Sequence, residues 1–200
     1  MATTLRQLLV QRAARLHGRP ALTCPAWGTL SHAQFRNRVE GVALGLMARP
    51  LPPGTAVRWV GSGPWAWAAE VAAACCGLAW EASGLALDPE AAAGRGFNNE
   101  EGRGPYHDRG EALSPEVPFH RGLSQGYVLG RLARLNARLG WDHETAVGVP
   151  EAAASTPEGR AALWSALYAG AHTTLAETGA GRGGGPEPFD PSAFQGFWEP

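Results

Sequence analysis

The chain has 200 residues, of which 44% are hydrophobic, and a formal net charge of −1 at neutral pH. This length and apolar content suit one domain with a substantial core, and the small net charge gives no overall field that would draw the chain to nucleic acid or to an anionic membrane. All 17 basic residues are arginine, so the sequence lacks the lysine that a Walker-type phosphate loop or a Schiff-base enzyme requires.

The N-terminal stretch has the pattern of a capped amphipathic helix. Thr4 and Gln7 form a capping box, in which each side chain satisfies a free backbone donor of the first turn, and Gly18 ends the helix. This stretch lacks the apolar core of a signal peptide, and the longest apolar run, Val71–Trp80, is too short to span a bilayer. We therefore expect a cytoplasmic protein without a membrane span.

Two short strands and a second helix come next. Ala21–Cys24 and Thr29–Leu30 are predicted strands on either side of a PAWG turn. Ser31 and Gln34 repeat the capping box, and the PLPPG run at 50–54 ends the helix that they start.

The following segment has the pattern of one strand–helix–strand unit. Thr55–Val60 is a predicted buried strand, Pro64 occupies the first position of a helix that ends near Cys76, and Leu78–Ala82 is the next strand. A helix between two nearby strands is the unit of a parallel sheet. Cys75 and Cys76 are adjacent on the helix and face different directions, so we interpret them as small buried apolar residues and not as a disulfide or metal site.

An irregular segment separates the two halves of the chain. Gly84–Pro118 is rich in glycine and charge and shows little periodicity, so we expect it to lack regular structure and to be functional or mobile. Beyond it, we predict an amphipathic helix that Gly140 ends, a strand at Ala146–Val149, a helix from Pro157 to Gly170 and a strand at Ala171–Leu175.

These elements predict an α/β fold with a partly parallel sheet flanked by helices. We expect one domain over residues 1–182, with the irregular segment at 84–118, followed by a Gly/Pro-rich tail at 183–200. Most of the tryptophans should lie in the core or at an interface. Trp65 and Trp67 are two residues apart on a helix and cannot share a face, so one of them should face outward.

A short glycine motif is the first candidate binding site. Gly61, Ser62 and Gly63 lie between a predicted strand and a helix N-terminus, where free backbone N–H groups can hold an anion. The third glycine of a dinucleotide fingerprint is missing, because Ala66 is at that position. The motif is thus either a ligand-binding turn or a tight strand-to-helix turn, and the second interpretation is the commoner one for so short a motif.

Polar side chains could in principle form a metal site or an acid–base pair. The candidates are His107, Asp108, His120, His143 and Glu144. No His-x-x-x-His or Cys-x-x-Cys spacing supports a metal site, and polar residues of loops and turns account for the same pattern. We predict no metal.

Three arginines form a stripe on the helix that Gly140 ends. Arg131, Arg134 and Arg138 recur at helical spacing beside the leucine face. They could meet a phosphate or an acidic partner. More often, such side chains fold their stems over the edge of the core and keep their charged heads in water.

The pattern as a whole resembles the N-terminal portion of the AMP-forming acyl-CoA synthetases, the adenylate-forming superfamily. The resemblance is carried by TLRQLLVQRAARLHGRPAL, by GTLSHAQFRNRVEGVALGLMA with His32 and Phe35 where Tyr and Leu are usual, by LPPGTAVRWVGSGPWAWAAEVAAACCGLAWEAS, by FHRGL with its helix, by ALWSALYAGAHTTL and by PFDPSAF. It implies a fold like part of that family's large N-terminal domain. It also marks His120 and Arg121, in the FHRGL turn, as ligand-binding candidates together with the GSG motif.

The sequence departs from that family where the family handles ATP. A Ser/Thr/Gly-rich loop that ends near a lysine should precede the HRG-like turn, whereas Tyr106–Phe119 has no such run, and Glu151 stands where an aromatic residue or His is usual. The adenine-binding segment and the C-terminal lid would lie beyond Pro200. Each hydrogen-bond donor aimed at a developing negative charge stabilises a transition state by about 3 kcal/mol. Because the sequence lacks the loop that supplies these donors, we expect this chain alone to adenylate nothing.

The sequence therefore predicts a non-catalytic synthetase-like protein that is a binding or regulatory partner in acyl or carboxylate activation, with no catalytic residue and no cofactor. Open apolar faces and sheet edges predict a homodimer, or a complex with a synthetase or another acyl-pathway protein. The alternative is a trimmed AMP-forming acid–thiol ligase that uses ATP or AMP, Mg and CoA and is active only with a complementing subunit. A third class is a small-molecule binder that keeps the acyl pocket without the chemistry.

Overall fold

The computed structural model of the protein describes residues 2–59, 63–88, 100–176 and 186–200. In these ranges the helices are α1 (Leu5–Arg15), α2 (His32–Met47), α3 (Pro64–Cys75), α4 (Glu100–Glu111), α5 (Gln125–Leu139) and α6 (Pro157–Ala169). The strands are β1 (Pro20–Cys24), β2 (Gly28–Ser31), β3 (Ala56–Trp59), β4 (Ala79–Trp80), β5 (Leu85–Leu87), β6 (Pro118–His120), β7 (Leu123–Ser124), β8 (Ala146–Pro150), β9 (His172–Ala176) and β10 (Glu187–Pro188).

The strands form a mainly parallel arrangement. A five-stranded sheet has the order β10-β8-β9-β1-β2, in which only β2 is antiparallel to its neighbour, and a three-stranded parallel sheet has the order β4-β3-β5. Helix α3 joins the parallel strands β3 and β4, as the sequence pattern predicts. The predicted α/β class, with a partly parallel sheet flanked by helices, is confirmed, and the sheet is mainly parallel.

Helix α3 is buried on nearly every side. Its alanines let α1, α2 and the strands approach closely, and Glu70 is the one charged residue in its sequence. Burial raises the pKa of Cys75 to about 12, so this thiol stays protonated at neutral pH and behaves as an apolar group. Trp67 is buried, whereas Trp65 is partly exposed and packs edge-on against Trp27 at 4.9 Å, as expected for residues two apart on a helix.

The predicted starts of α1 and α2 are confirmed, but only α2 has the complete capping box. Ser31 and Gln34 form both hydrogen bonds of a capping box at the start of α2. At α1, Thr4 accepts a hydrogen bond from the Gln7 backbone N–H, but the Gln7 side chain accepts its return bond from the N–H of Thr3 and not from that of Thr4. The side chain thus satisfies a donor one residue earlier than the capping-box pattern predicts.

The segment expected to be irregular contains regular structure. Its described residues include strand β5 and the twelve-residue helix α4. Helix α4 escapes a search for apolar periodicity because its buried positions are Gly102 and Tyr106, one turn apart. A Cβ on Gly102 would lie 2.0 Å from the Leu44 carbonyl oxygen, so the glycine lets α4 pack directly on the backbone of α2.

Much of the tail packs against the domain. Strand β10 extends the five-stranded sheet beside β8, and Phe194, Phe197 and Trp198 are buried. Two arginines of the α5 stripe hold this segment: the Arg131 guanidinium donates hydrogen bonds to the carbonyls of Gly196 and Phe197, and Arg138 donates one to that of Ala193 at 3.3 Å. Within the described ranges, no helix combines the length and hydropathy that crossing a bilayer demands.

Candidate functional site

A buried ion pair between α3 and α6 lies at the centre of the site. Glu70 and Arg160 are 2% and 9% exposed, and the Arg160 Nε and NH2 groups each donate a 2.7 Å hydrogen bond to a different Glu70 carboxylate oxygen. Trp164 Nε1 donates a further hydrogen bond of 2.8 Å to Glu70 Oε1. This bidentate geometry matches the planar guanidinium to the carboxylate, and each charge neutralises the other within the core.

His120, from the FHRGL turn, contacts this pair. Its Nδ1 forms a hydrogen bond with the Trp80 carbonyl oxygen. Because a carbonyl oxygen can only accept, Nδ1 carries the proton and is the donor. Nε2 is then an acceptor, and it faces Arg160 NH1 at 3.4 Å. Burial, together with the neighbouring Arg160 charge, lowers the pKa of His120. The ring is therefore a neutral link between β4 and the ion pair.

Trp198 covers the ion pair from the C-terminal segment. Its ring is 2% exposed, lies 4.9 Å from the Arg160 guanidinium carbon and meets the His120 ring edge-on at 5.0 Å. Its Nε1 donates a 2.8 Å hydrogen bond to the Pro157 carbonyl at the start of α6. The tail thus forms one wall of the site.

Above the ion pair is an open cavity of about 400 Å3. Its walls include the indoles of Trp59, Trp67 and Trp80, and Arg58 and Arg121 stand among its charged lining residues. The Trp59 Nε1 donor is buried and has no hydrogen-bond partner among the residues that the structure describes. The cavity, called the tryptophan pocket below, lies at the carboxyl ends of parallel strands β3 and β4, where ligands commonly bind in α/β sheets.

The turn at Arg121 is a two-residue hairpin between β6 and β7. Arg121 and Gly122 have φ angles of 49° and 76°, and positive values at both central residues are those of a type I′ turn. The Arg121 backbone N–H donates to the Glu81 carboxylate, which anchors this conformation. The predicted candidates His120 and Arg121 therefore both line the tryptophan pocket, the first from within and the second at its exposed rim.

The GSG motif is only partly described. Gly61 and Ser62 lie outside the described residues, whereas Gly63 is the N-cap of α3 with a φ of 84°. A Cβ there would lie 2.5 Å from Glu151 Oε1, so the chain's own carboxylate faces the start of this helix. Gly63 does not belong to the lining of the tryptophan pocket.

The stretch Tyr106–Phe119 uses most of its backbone donors within the chain. Ala112 N–H donates to the Asp108 carbonyl, and the N–H groups of Glu116 and Val117 donate to the side chain and carbonyl of Ser114. Its two prolines have no N–H. The stretch then enters the β6–β7 hairpin, so it does not form an open row of N–H groups of the kind that cradles phosphates.

The polar residues considered for a metal site are dispersed. Over the part of the chain that the structure describes, no three His, Cys, Asp or Glu side chains converge as metal ligands. The His107 side chain pairs with that of Glu111 one turn along α4. At the surface, His143 Nε2 lies 3.2 Å from Glu144 Oε1. His120 belongs to the ion-pair network.

The neutral state of His120 makes stability depend on pH. Histidines of the unfolded chain titrate near pH 6.5, whereas burial lowers the pKa of His120, His32 and His172 in the folded protein. The unfolded state then binds more protons below about pH 6.5, so the free energy of unfolding should decrease as the pH is lowered through and below about 6.5. Urea unfolding at several pH values measures this slope.

A matched pair of variants isolates His120. His120→Asn keeps an N–H donor for the Trp80 carbonyl and cannot titrate, so its slope over this range should be shallower than that of the wild type. The exposed His17→Asn should keep the wild-type slope. Equal slopes in His120→Asn and wild type would show that His120 is not held neutral.

No protein-family model matches the sequence, and no curated protein sequence matches it. Solved structures do match its fold. The N-terminal subdomain of NpsA from Klebsiella oxytoca superimposes with a TM-score of 0.67 at 14% identity, covering 89% of this chain and 55% of that one. The fatty acyl-adenylate ligase from L. pneumophila, in complex with acyl adenylate and pyrophosphate, gives 0.67 at 11% identity, covering 88% and 40%.

The chain has the fold of part of the N-terminal subdomain of adenylate-forming enzymes. A third match, VinN in complex with L-aspartate, has a TM-score of 0.63 at 15% identity and covers 86% of this chain and 62% of VinN. The chain spans about half the length of the NpsA subdomain. The resemblance seen in the sequence is thereby confirmed at the level of fold.

Glu70 and Arg160 were not predicted as site residues. Each is a lone charge in a strongly apolar stretch, AWAAEVAAAC and GRAALWSAL, and such a charge is almost never fully buried without a partner. That signal could have suggested a pair. It could not have shown that these two helices face each other.

Proposed function

We propose that this chain is a non-catalytic protein of the adenylate-forming fold that binds a small carboxylic acid, as a binding or regulatory partner in acyl or carboxylate activation. The observation that supports the absence of catalysis is the course of Tyr106–Phe119 through helix α4 and a self-bonded turn into a hairpin. Nucleotidyl transfer depends on donors aimed at phosphate oxygens. Here most of the backbone donors are engaged within the chain.

The charges of the tryptophan pocket favour a carboxylate ligand. Arg160 is neutralised by Glu70. Among the other charged lining residues, Arg58 and Arg121 outnumber the single carboxylate of Glu81, so a net positive charge is left to meet a negative group. The indole walls suit a planar or apolar body. A cavity of about 400 Å3 is within the range of small-molecule sites.

One fold neighbour supports the same ligand class, because VinN has been solved in complex with L-aspartate, a carboxylic acid. The NpsA N-terminal subdomain has been solved with anthranilyl-AMSN. Their identity to this chain is 15% and 13%, so they suggest a class of ligand and no particular compound.

A thermal-shift and calorimetry screen tests this function. The panel contains benzoate, anthranilate, L-aspartate, octanoate, AMP and CoA. We expect a carboxylic acid to stabilise the protein, by about 2.7 kcal/mol at a hundredfold excess over its Kd, whereas AMP and CoA do not. Arg121→Gln should weaken this binding about tenfold, because a charge-assisted contact is lost.

Arg49→Gln is the matched control, since Arg49 is exposed and lies outside the tryptophan pocket. Its affinity should equal that of the wild type. Stabilisation by AMP alone would instead favour the ligase that is completed by a second subunit. A panel without any binder would contradict the ligand-binding function.

The homodimer is also a proposal. Strand β5 is an edge of the three-stranded sheet as described, and Leu85 on it is 51% exposed. An exposed apolar edge of this kind favours pairing with a second copy.

A further inference from the structure

A second cavity lies between α1 and α5, with a volume of about 630 Å3. In the described part of the chain, it shares no lining residue with the tryptophan pocket. Leu8 and Leu129 are its buried apolar residues, and Gly126, Gly130 and Ala133 form a wall of small residues along α5. This cavity is called the α1–α5 groove below.

The helices that form the groove are basic. The sequences of α1 and α5 contain six arginines and no Asp or Glu, although the whole chain has a net charge of −1. Arg12 and Arg15 line the groove, and the Arg134 guanidinium lies about 4.0 Å from the position of a Cβ on Gly130. None of these three arginines has an ion-pair partner among the residues that the structure describes.

Arg12 is incompletely satisfied in the free chain. Its NH2 group donates to the Tyr168 carbonyl, but its Nε is buried without a hydrogen-bond partner in the described ranges. Burial lowers the pKa of Arg12, which reflects the cost of desolvating its charge. A carboxylate in the groove would offset that cost.

We infer that the α1–α5 groove is the docking site of an acidic amphipathic helix from a partner protein. Arg12 and Arg15 are three residues apart and so lie on the same face of α1, which matches carboxylates one helical turn apart on the partner. The wall of Gly126, Gly130 and Ala133 lets the partner's backbone approach closely, and the partner's apolar face packs on this wall and on the partly exposed Pro115 and Tyr168. The inference does not depend on a ligand in the tryptophan pocket.

Selection of helical peptides from a random phage-displayed library against the intact chain tests this inference. The enriched peptides should carry Asp or Glu at i and i+3 or i+4 beside small apolar residues. Their affinity, measured by fluorescence polarisation, should fall about tenfold with Arg15→Gln, which removes a charge-assisted contact. Gly130→Leu should abolish binding, because its side chain fills the groove.

Gly130→Leu should fold, since leucine is a better helix former than glycine and a Cβ at this position meets only the tip of Arg134. Ala14→Leu, which adds bulk at an exposed position of α1 outside the groove, is the matched control and should bind as the wild type does. Enriched peptides without acidic spacing, or binding that survives Gly130→Leu, would overturn the inference.

Heparin and phosphatidylglycerol vesicles separate the groove from a simple basic patch. Both polyanions need only the arginine charges, so Gly130→Leu should leave any binding to them unchanged. If the affinity of the acidic peptides falls with Arg15→Gln but is unchanged by Gly130→Leu, the peptides behave as the polyanions do. The surface is then a general anion patch, and the helix-docking inference is wrong.

Discussion

Glu70→Ala should lower the free energy of unfolding by about 3–5 kcal/mol, because it leaves the Arg160 guanidinium buried without its counter-charge. The variant removes both hydrogen bonds that Arg160 donates to Glu70 and the one that Trp164 Nε1 donates to the same carboxylate. Urea unfolding, followed by tryptophan fluorescence and by circular dichroism, measures this loss.

The double variant Glu70→Leu/Arg160→Met is the control for the charge itself. Replacing both partners of a buried ion pair with apolar residues of similar volume is often neutral or stabilising. We therefore expect the double variant to recover most of the stability that Glu70→Ala loses. A loss below about 1 kcal/mol in Glu70→Ala, a value typical of exposed ion pairs, would show that Arg160 reaches water and that the pair is not the buried centre described above.

Trp198→Ala should also lower the free energy of unfolding by about 3–5 kcal/mol, the usual cost of truncating a buried aromatic side chain. It removes the cover of the Glu70–Arg160 pair and the hydrogen bond to the Pro157 carbonyl. Residues 186–200 should then detach from α5, where Arg131 holds them, and become sensitive to a protease such as chymotrypsin.

Trp198→Phe separates packing from hydrogen bonding. Phenylalanine keeps an aromatic ring beside Arg160 and His120 but has no N–H for the Pro157 carbonyl. It should lose about 0.5–1.5 kcal/mol, the net contribution of one hydrogen bond, because a carbonyl in the first turn of a helix keeps its intrahelical partner. If Trp198→Ala has wild-type stability and protease resistance, the C-terminal segment does not contribute a wall to the site.

The parts of the fold that local chemistry decides could be predicted from the sequence. The side chains of Ser31 and Gln34 specify a helix start by themselves, and a helix flanked by two buried strands at 55–82 nearly always places those strands in parallel. Helix α4 could not be predicted, because Gly102 stabilises it through a close approach to the backbone of α2, a feature that has no local pattern.

The candidate site could be predicted only in part. The FHRGL turn points to His120 and Arg121, and the structure places both at the tryptophan pocket. The ion pair joins Glu70 to Arg160, 90 residues away, and local periodicity carries no information on which lone charges meet. The tail looked like a Gly/Pro-rich extension, yet Trp198 reaches the centre of the site.

The central claim, that this chain cannot hold a triphosphate for adenylation, is tested most directly by carboxylate-dependent ATP–pyrophosphate exchange. The assay uses the intact chain with Mg²⁺, ATP, labelled pyrophosphate and the carboxylic acids of the screen, with an active adenylate-forming enzyme run in parallel. The structure predicts no exchange above the level without protein for any acid, including one that binds the tryptophan pocket. Exchange by the chain alone that depends on a carboxylic acid would contradict the claim.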